Sequence, residues 1–569
     1  MSNKLAGNKK DNKKAKMKEN AGLVIARNVL EYTVMALGIA LCVLVPLYLK
    51  NGYHGVGDCK YELYKWIIIT GTIAVAFMSI IYFCQGGFVT VKDTNIPKTQ
   101  NRNNAKNEFE IQTDKPDSNK LQPTDLFVFA FLFFALLSAL VGGNFSACIV
   151  GYDGWYMGIL SLFSFALLYF MFAKAGRYYK AVVCALLATS FITYIIGILH
   201  RMMIDVIGTY YLGTTEEIAD NFKNQFLSTL GQASWYSSFV CTVFPLGLAV
   251  FWYAKKKSMR IALGVFSFVG SMTLVTQNSD SAYMAMLGFF FVLFWFSATD
   301  VNRMERFMEV LVLFFAATRA MWLLLLIHPN ERLDLDALSH FMVFSPWMWV
   351  MLLGVMAIWG LVLWSQKKEN YPVKVMKSVR TGLLVVIILA VFCAVILLIM
   401  SAKGILPAGL LAVTEKIPYM TWSDNWGNGR GRTWAFSIQM YRDMDLGHKI
   451  FGVGPDGYAP YAYNLYADRL VEMWGERKLT NAHNEWINAL INYGLAGCIA
   501  YIGIFVSACI QFAKNWEQQP ILAGITACVV SYMCHNVFCY QTVCCTPFIF
   551  LLMGIGIYIS TNSHLKKEV

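Results

Sequence analysis

The sequence predicts an all-α polytopic transmembrane bundle of about fourteen helices, with one long helical loop on the extracytoplasmic side. Three observations carry this. Of the 569 residues, 57% are hydrophobic, 15% aromatic and only 14% charged, where ordinary soluble domains carry about 25% charge. The apolar residues gather in runs of the ~20 residues that a membrane-crossing helix needs. Lys and Arg avoid alternate connecting segments, as the positive-inside rule requires.

In order, the runs are 29–49, 64–84, 124–142, 154–172, 181–199, 235–253, 260–277, 282–298, 307–327, 341–364, 381–400, 486–510, 520–538 and 545–561. The connector Asn278–Ser281 is so short that the count is good to about two. With the N-terminus inside, thirty-one of the 47 basic residues fall on inner segments. The short outer segments hold only Lys50, Lys60, Lys65, Arg201, Lys223 and Arg332. Segment 401–482 adds nine more, and Arg319 lies within a helix. Both termini are therefore expected in the cytoplasm. The net charge of +12 reports orientation, not a nucleic-acid partner.

The division expected is a basic cytoplasmic tail 1–28, an N-terminal transmembrane region 29–223, central helices 224–400, an outer loop 401–482, C-terminal helices 483–561 and a cytoplasmic tail 562–569. The polar stretch Lys4–Lys18 is expected to be disordered, and the first helix to serve as a signal anchor, not a cleavable leader. Segment 92–123, rich in Asn, Lys, Asp and Pro, reads as a cytoplasmic linker. The fourteen cysteines lie mostly in helices without metal spacing and read as buried small hydrophobes. Cys59 and Cys148 both fall outside and are open to pairing.

Loop 401–482 is where chemistry is expected, since loops this long inside a compact architecture are usually functional. It carries nine basic and eight acidic residues and many Tyr and Trp. Trp434, Ile438 and Tyr441 have the spacing of an amphipathic helix over 432–445. A second helix is expected over 459–475, with Tyr463, Tyr466, Leu470 and Trp474 among its apolar positions. Gly452–Gly457 matches GxGxxG by letter but lacks the βαβ setting of a dinucleotide site, so it reads as a tight glycine turn. Asp443-Met444-Asp445 resembles a metal-binding DxD, yet on a helix the two carboxylates diverge. It reads as a solvated helix end. Arg430 and Arg432, in Gly427–Trp434, present planar forks suited to phosphate oxygens. His483, in His483-Asn484-Glu485-Trp486, opens the next membrane helix, where a neutral imidazole accepts protons. Lipid headgroup contact and a helix-start role are the plainer alternatives.

The ordered set Gly429-Arg430-Gly431 with Trp434, Phe451–Asp456, His483–Trp486 and Asn492–Gly497 resembles the C-terminal core of the O-antigen ligase and polymerase family. Gly231–Tyr236 and Thr546-Pro547 fit the same resemblance, which spans roughly 225–560. It implies a GT-C-like bundle in the plasma membrane and a metal-independent, inverting glycosyltransferase without a cofactor. The partners implied are an undecaprenyl-diphosphate-linked glycan donor, a hydroxyl-bearing glycan or lipid acceptor, and the bilayer. By the resemblance His483 and Arg430 are catalytic, the first acting on the acceptor hydroxyl and the second on the diphosphate. Arg432, Asn484 and Trp434 are candidate substrate contacts. Many members carry a further Arg at the outer end of a central helix, where this chain has Asp280. Arg319 either restores that charge or forms a salt bridge with Asp280. The rival functions are a repeat-unit polymerase of the same family, a lipid-glycan transporter or flippase, and a catalytically dead scaffold.

Overall fold

A computed structural model describes residues 2–87, 120–209, 226–328, 335–415, 419–475 and 477–562. Most of the linker 92–123, Lys223, Arg332 and nearly all of the tail 562–569 lie outside the described residues. The chain is a polytopic helical bundle. Its helices are α1 (Ser2–Leu47), α2 (Val56–Cys84), α3 (Pro123–Val141), α4 (Phe145–Val150), α5 (Ile159–Ala175), α6 (Tyr179–Arg201), α7 (Ala233–Tyr253), α8 (Lys257–Thr276), α9 (Ser281–Ser297) and α10 (Val301–Ile327). They continue as α11 (Ala337–Phe344), α12 (Trp347–Lys367), α13 (Val373–Ala402), α14 (Ala408–Thr414), α15 (Trp426–Asp443), α16 (Leu446–Phe451), α17 (Tyr458–Trp474), α18 (Glu485–Asn515), α19 (Ile521–His535) and α20 (Thr546–Thr561).

Among the described residues, ten helices are long and apolar enough to cross a membrane, and four apolar helices (α5, α9, α19 and α20) are shorter. Together they coincide with the fourteen runs read from sequence. α1 begins at Ser2, so the stretch Lys4–Lys18 lies at its start, and its side chains lie outside the described residues. One short hairpin departs from the all-helical reading: Phe226–Leu227 pairs antiparallel with Gly231–Gln232 and leads into α7.

The last three helices form the spine. α18 lies against α3, α19 against α7 and α9, and α20 against α5. Around them α1 packs on α2 and α6, and α10 on α8 and α12. α20 is apolar on every side and buried from Thr546 to Ser560. α13 is also apolar on every side, yet buries no residue. Hydropathy alone cannot separate these two, since lipid and protein interior are equally apolar.

Segment 401–482 folds into α14 to α17 with its own small core of Phe436, Met440, Tyr458, Ala462 and Leu470. The expected stripe Trp434, Ile438 and Tyr441 is not the buried face of α15. That face is Thr433, Phe436, Ser437 and Met440, while Ile438 is 51% exposed. α17 and the Gly452–Gly457 turn approach α15 from the other side. The turn itself is as expected: Val453 N–H donates to the Ile491 carbonyl at 3.1 Å and Gly454 N–H to the Asn492 carbonyl at 2.9 Å. Those carbonyls are available because α18 breaks at Gly494, whose φ is 65°. Asp443 and Asp445 separate, also as expected. Asp445 caps α16 by accepting from Gly447 N–H at 2.8 Å and His448 N–H at 3.1 Å, and it pairs with the His448 ring. Asp443 accepts from Tyr466 Oη at 3.4 Å. Cys59 and Cys148 are free thiols, not a disulfide.

Candidate functional site

Loops and helix ends from four parts of the chain meet at one end of the bundle. Gly427, Asn428 and Gly429 take positive φ values of 58°, 61° and 85°, so regular helix in α15 begins only at Arg430. Two of the three are glycine and the third is Asn, the side chains least strained in this conformation. The turn sets Arg430 at a helix start, where backbone N–H groups already favour negative charge.

Arg430 donates one bond, Nη1 to the Gly427 carbonyl at 2.9 Å, and its Nε has no partner among the described residues. The guanidinium lies 5.9 Å from the centre of the Phe538 ring. Its charge reaches Asp280, Tyr419 and His483. Asp280 accepts a hydrogen bond from Tyr419 Oη. Burial raises the Asp280 carboxyl above its usual range, assisted by Asp336 and opposed by Tyr419 and Arg430. Burial likewise pushes the Tyr419 hydroxyl up.

His483 stands with φ 49°, and its N–H donates to Asn481 Oδ1 at 2.9 Å. Its ring makes no hydrogen bond among the described residues and meets the Tyr540 ring at 5.3 Å. Burial, and then the Arg430 charge, lower its pKa to about 4. The imidazole is therefore neutral at pH 7, partly exposed and free to take a proton.

The structure thus brings Arg430, His483 and Asp280 together. The other expected residues divide. Trp434 stacks on Phe538 at 5.6 Å and meets Trp426 at a tilt at 5.2 Å, making an aromatic wall beside Arg430. Asn484 is engaged as the N-cap of α18, accepting from Trp486 N–H at 3.0 Å and Ile487 N–H at 3.1 Å. Arg432 turns away from Arg430: its Nη1 donates to the Met473 carbonyl at 2.7 Å, and its guanidinium covers Trp474 at 4.2 Å. Arg319 does not pair with Asp280. It donates to the carbonyls of Met342, Val343 and Ser345 at 2.9–3.3 Å, closing the C-terminal end of α11. Helix-end carbonyls carry partial negative charge, which supplies the partner a buried cation requires. His535 is a core histidine, with Nε2 at 2.9 Å from both Ser237 Oγ and Ser281 Oγ.

Sequence reasoning missed Tyr419, Phe538 and Tyr540. Their connectors carry no motif, and Phe538 fell inside the expected run 520–538, whereas α19 ends at His535. No group of three His, Cys, Asp or Glu is placed to hold a metal among the described residues.

No curated protein matches the chain at a significant level. Residues 335–502, from just before α11 into α18 and including Arg430 and His483, match the family model described as O-antigen ligase, so this part of the multi-pass membrane protein is similar to that family.

Proposed function

We propose that the protein moves a glycan from an undecaprenyl-diphosphate carrier to an acceptor hydroxyl on the outer face of the plasma membrane, as an inverting GT-C-type transferase. The observation that carries this is the meeting of Arg430 with a neutral, unengaged His483 at one end of the bundle. Loop charge and the positive-inside pattern support the outer side. His483 accepts the proton of the acceptor hydroxyl as its oxygen bonds to the anomeric carbon. The bond from that carbon to the diphosphate breaks, and the charge that develops on the lipid diphosphate faces Arg430. A diphosphate is a competent leaving group, so the chemistry asks for no metal.

The electrostatics favour an ordered cycle. An unoccupied Arg430 suppresses protonation of His483. A bound diphosphate offsets that charge and makes the imidazole more basic when the acceptor must be activated. Purified protein given a lipid-diphosphate glycan is expected to release lipid diphosphate, and His483→Ala to reduce that release about a thousandfold. Unchanged turnover would remove His483 from the mechanism. Ligase and repeat-unit polymerase share this chemistry and are separated by product: one transfer to a foreign acceptor, or a ladder of repeats. A transporter would instead need charged or broken helices lining a mid-membrane path.

A further inference from the structure

At the same end of the bundle is a cavity of about 820 Å³, within the ~300–1,000 Å³ span of small-ligand sites. Its walls come from four segments: the stretch from Gly142 after α3 to Cys148 in α4, the loop Gly151–Asp153, the turn and helix start from Val453 to Asn464, and Lys478. Asp456 fastens these walls. Its Oδ2 accepts from Tyr152 N–H at 2.7 Å and Met157 N–H at 3.2 Å, tying the loop to the turn.

The lining is mixed, about half polar and half apolar, and nearly neutral. Tyr152 and Tyr461 offer flat rings. The side chains of Asn144, Asn464 and Asp153 are exposed and make no hydrogen bond among the described residues, and Lys478 balances Asp153. An acyl chain would bury these polar groups without partners, and an anion would face a carboxylate. Sugars suit the set, since amides and carboxylates pair with hydroxyls while ring faces take C–H surfaces.

Position relates the cavity to the His483 side. Asp456 also lines a narrow pocket with Trp155, Glu485, Tyr540 and Gln541. Tyr540 touches both Trp155, at 4.6 Å, and the His483 ring. Neither Arg430 nor Asp280, Tyr419 or Phe538 lines either space. We infer that this cavity is a glycan subsite for the acceptor, holding sugars remote from the hydroxyl that His483 activates. The inference rests on the transfer reading above.

The test uses full-length protein in detergent and oligosaccharides freed by mild acid from the producing cell's surface polysaccharide. Saturation-transfer NMR should show them bound to wild type and to Arg430→Ala alike. Tyr461→Ala and Asn464→Trp should each cut the signal about fivefold or more, and in turnover raise the acceptor KM about tenfold with the donor KM unchanged. Asn464 is exposed, so its variant should match wild type in gel filtration and melting. Asp153→Ala, also exposed, gives an independent arm. No binding to wild type, binding indifferent to these variants, or a rise in the donor KM instead would overturn the subsite. Donor cleavage indifferent to Arg430→Ala and His483→Ala would instead overturn the transfer reading, leaving the NMR result standing.

Discussion

Arg430 and Arg432 are two residues apart, yet the fold gives them different work. Arg432 donates to the Met473 carbonyl and lies over Trp474, whereas Arg430 donates back to its own turn at Gly427 and its charge acts on Asp280 and His483. Arg430→Ala should lower donor turnover by about 10²–10³, the scale of losing one preorganised charge contact. Arg432→Ala should mainly lower the melting temperature, through lost packing and a cation–π contact of about 1 kcal/mol. The reverse pattern would exchange their roles. His483 makes a pH prediction. With its pKa lowered to about 4, the neutral base persists through acid, so kcat/KM should fall with a midpoint near 4 and not near 6.5. Asp456 runs the other way, its carboxyl pushed up by burial to about 6. The folded state then holds the proton more tightly than the unfolded one, so this group's contribution to stability is lost as pH rises from about 4 to 6. Asp456→Asn keeps an oxygen for both N–H donors and should be neutral at pH 4 but stabilising at pH 8, by on the order of 3 kcal/mol. Melting curves at the two pH values check it. Arg430 and His483 were legible because each sits in a motif. The contacts of Asp456 and Arg319 were not, since their partners lie about 300 and 24 residues away on backbone atoms that no side-chain pattern announces.

Among elements, membrane spans were the most legible, because apolar length is a local property that tertiary structure does not override. Amphipathic faces in the outer loop were less so. α15 buries Phe436 and Met440 where the sequence favoured Trp434 and Ile438, because several faces of this helix carry an apolar residue and only the positions of α17 and the turn decide among them. Phe436→Ala should therefore cost about 3–5 kcal/mol, while Ile438→Ala stays within about 0.5 kcal/mol. Equal effects would mean that the helix is rotated. The break in α18 is similar. Gly494 with φ 65° leaves no room for a Cβ, which would meet the Ile450 carbonyl and Gly452 N. Gly494→Ala should displace the turn that fastens Asp456, and activity should fall together with the melting temperature.

For the whole molecule, the basic residues and the ordered helices make a topology that can be read from either side. A cysteine at Ser423 or Lys478 should react with an impermeant maleimide in intact cells, and one at Lys374 only after lysis. The opposite labelling would invert the orientation. The four short apolar helices have a further consequence. At 15–17 residues each, they rise only about 22–26 Å, less than the ~30 Å hydrocarbon thickness of a bilayer. The ends of α5, α9, α19 and α20 at Ile159, Ser281, His535 and Thr546 lie on the side of Arg430 and His483, since their flanking residues Met157, Asp280, Phe538 and Gln541 contact Asp456, Tyr419, Trp434 and Glu485. Hydrophobic mismatch of this kind draws the interface down around the centre of the protein. On the proposed reaction, a carrier lipid arriving there need not lift its headgroup to reach the two residues, and bilayer thickness would control turnover: short-chain phosphatidylcholine vesicles should support faster transfer than long-chain ones.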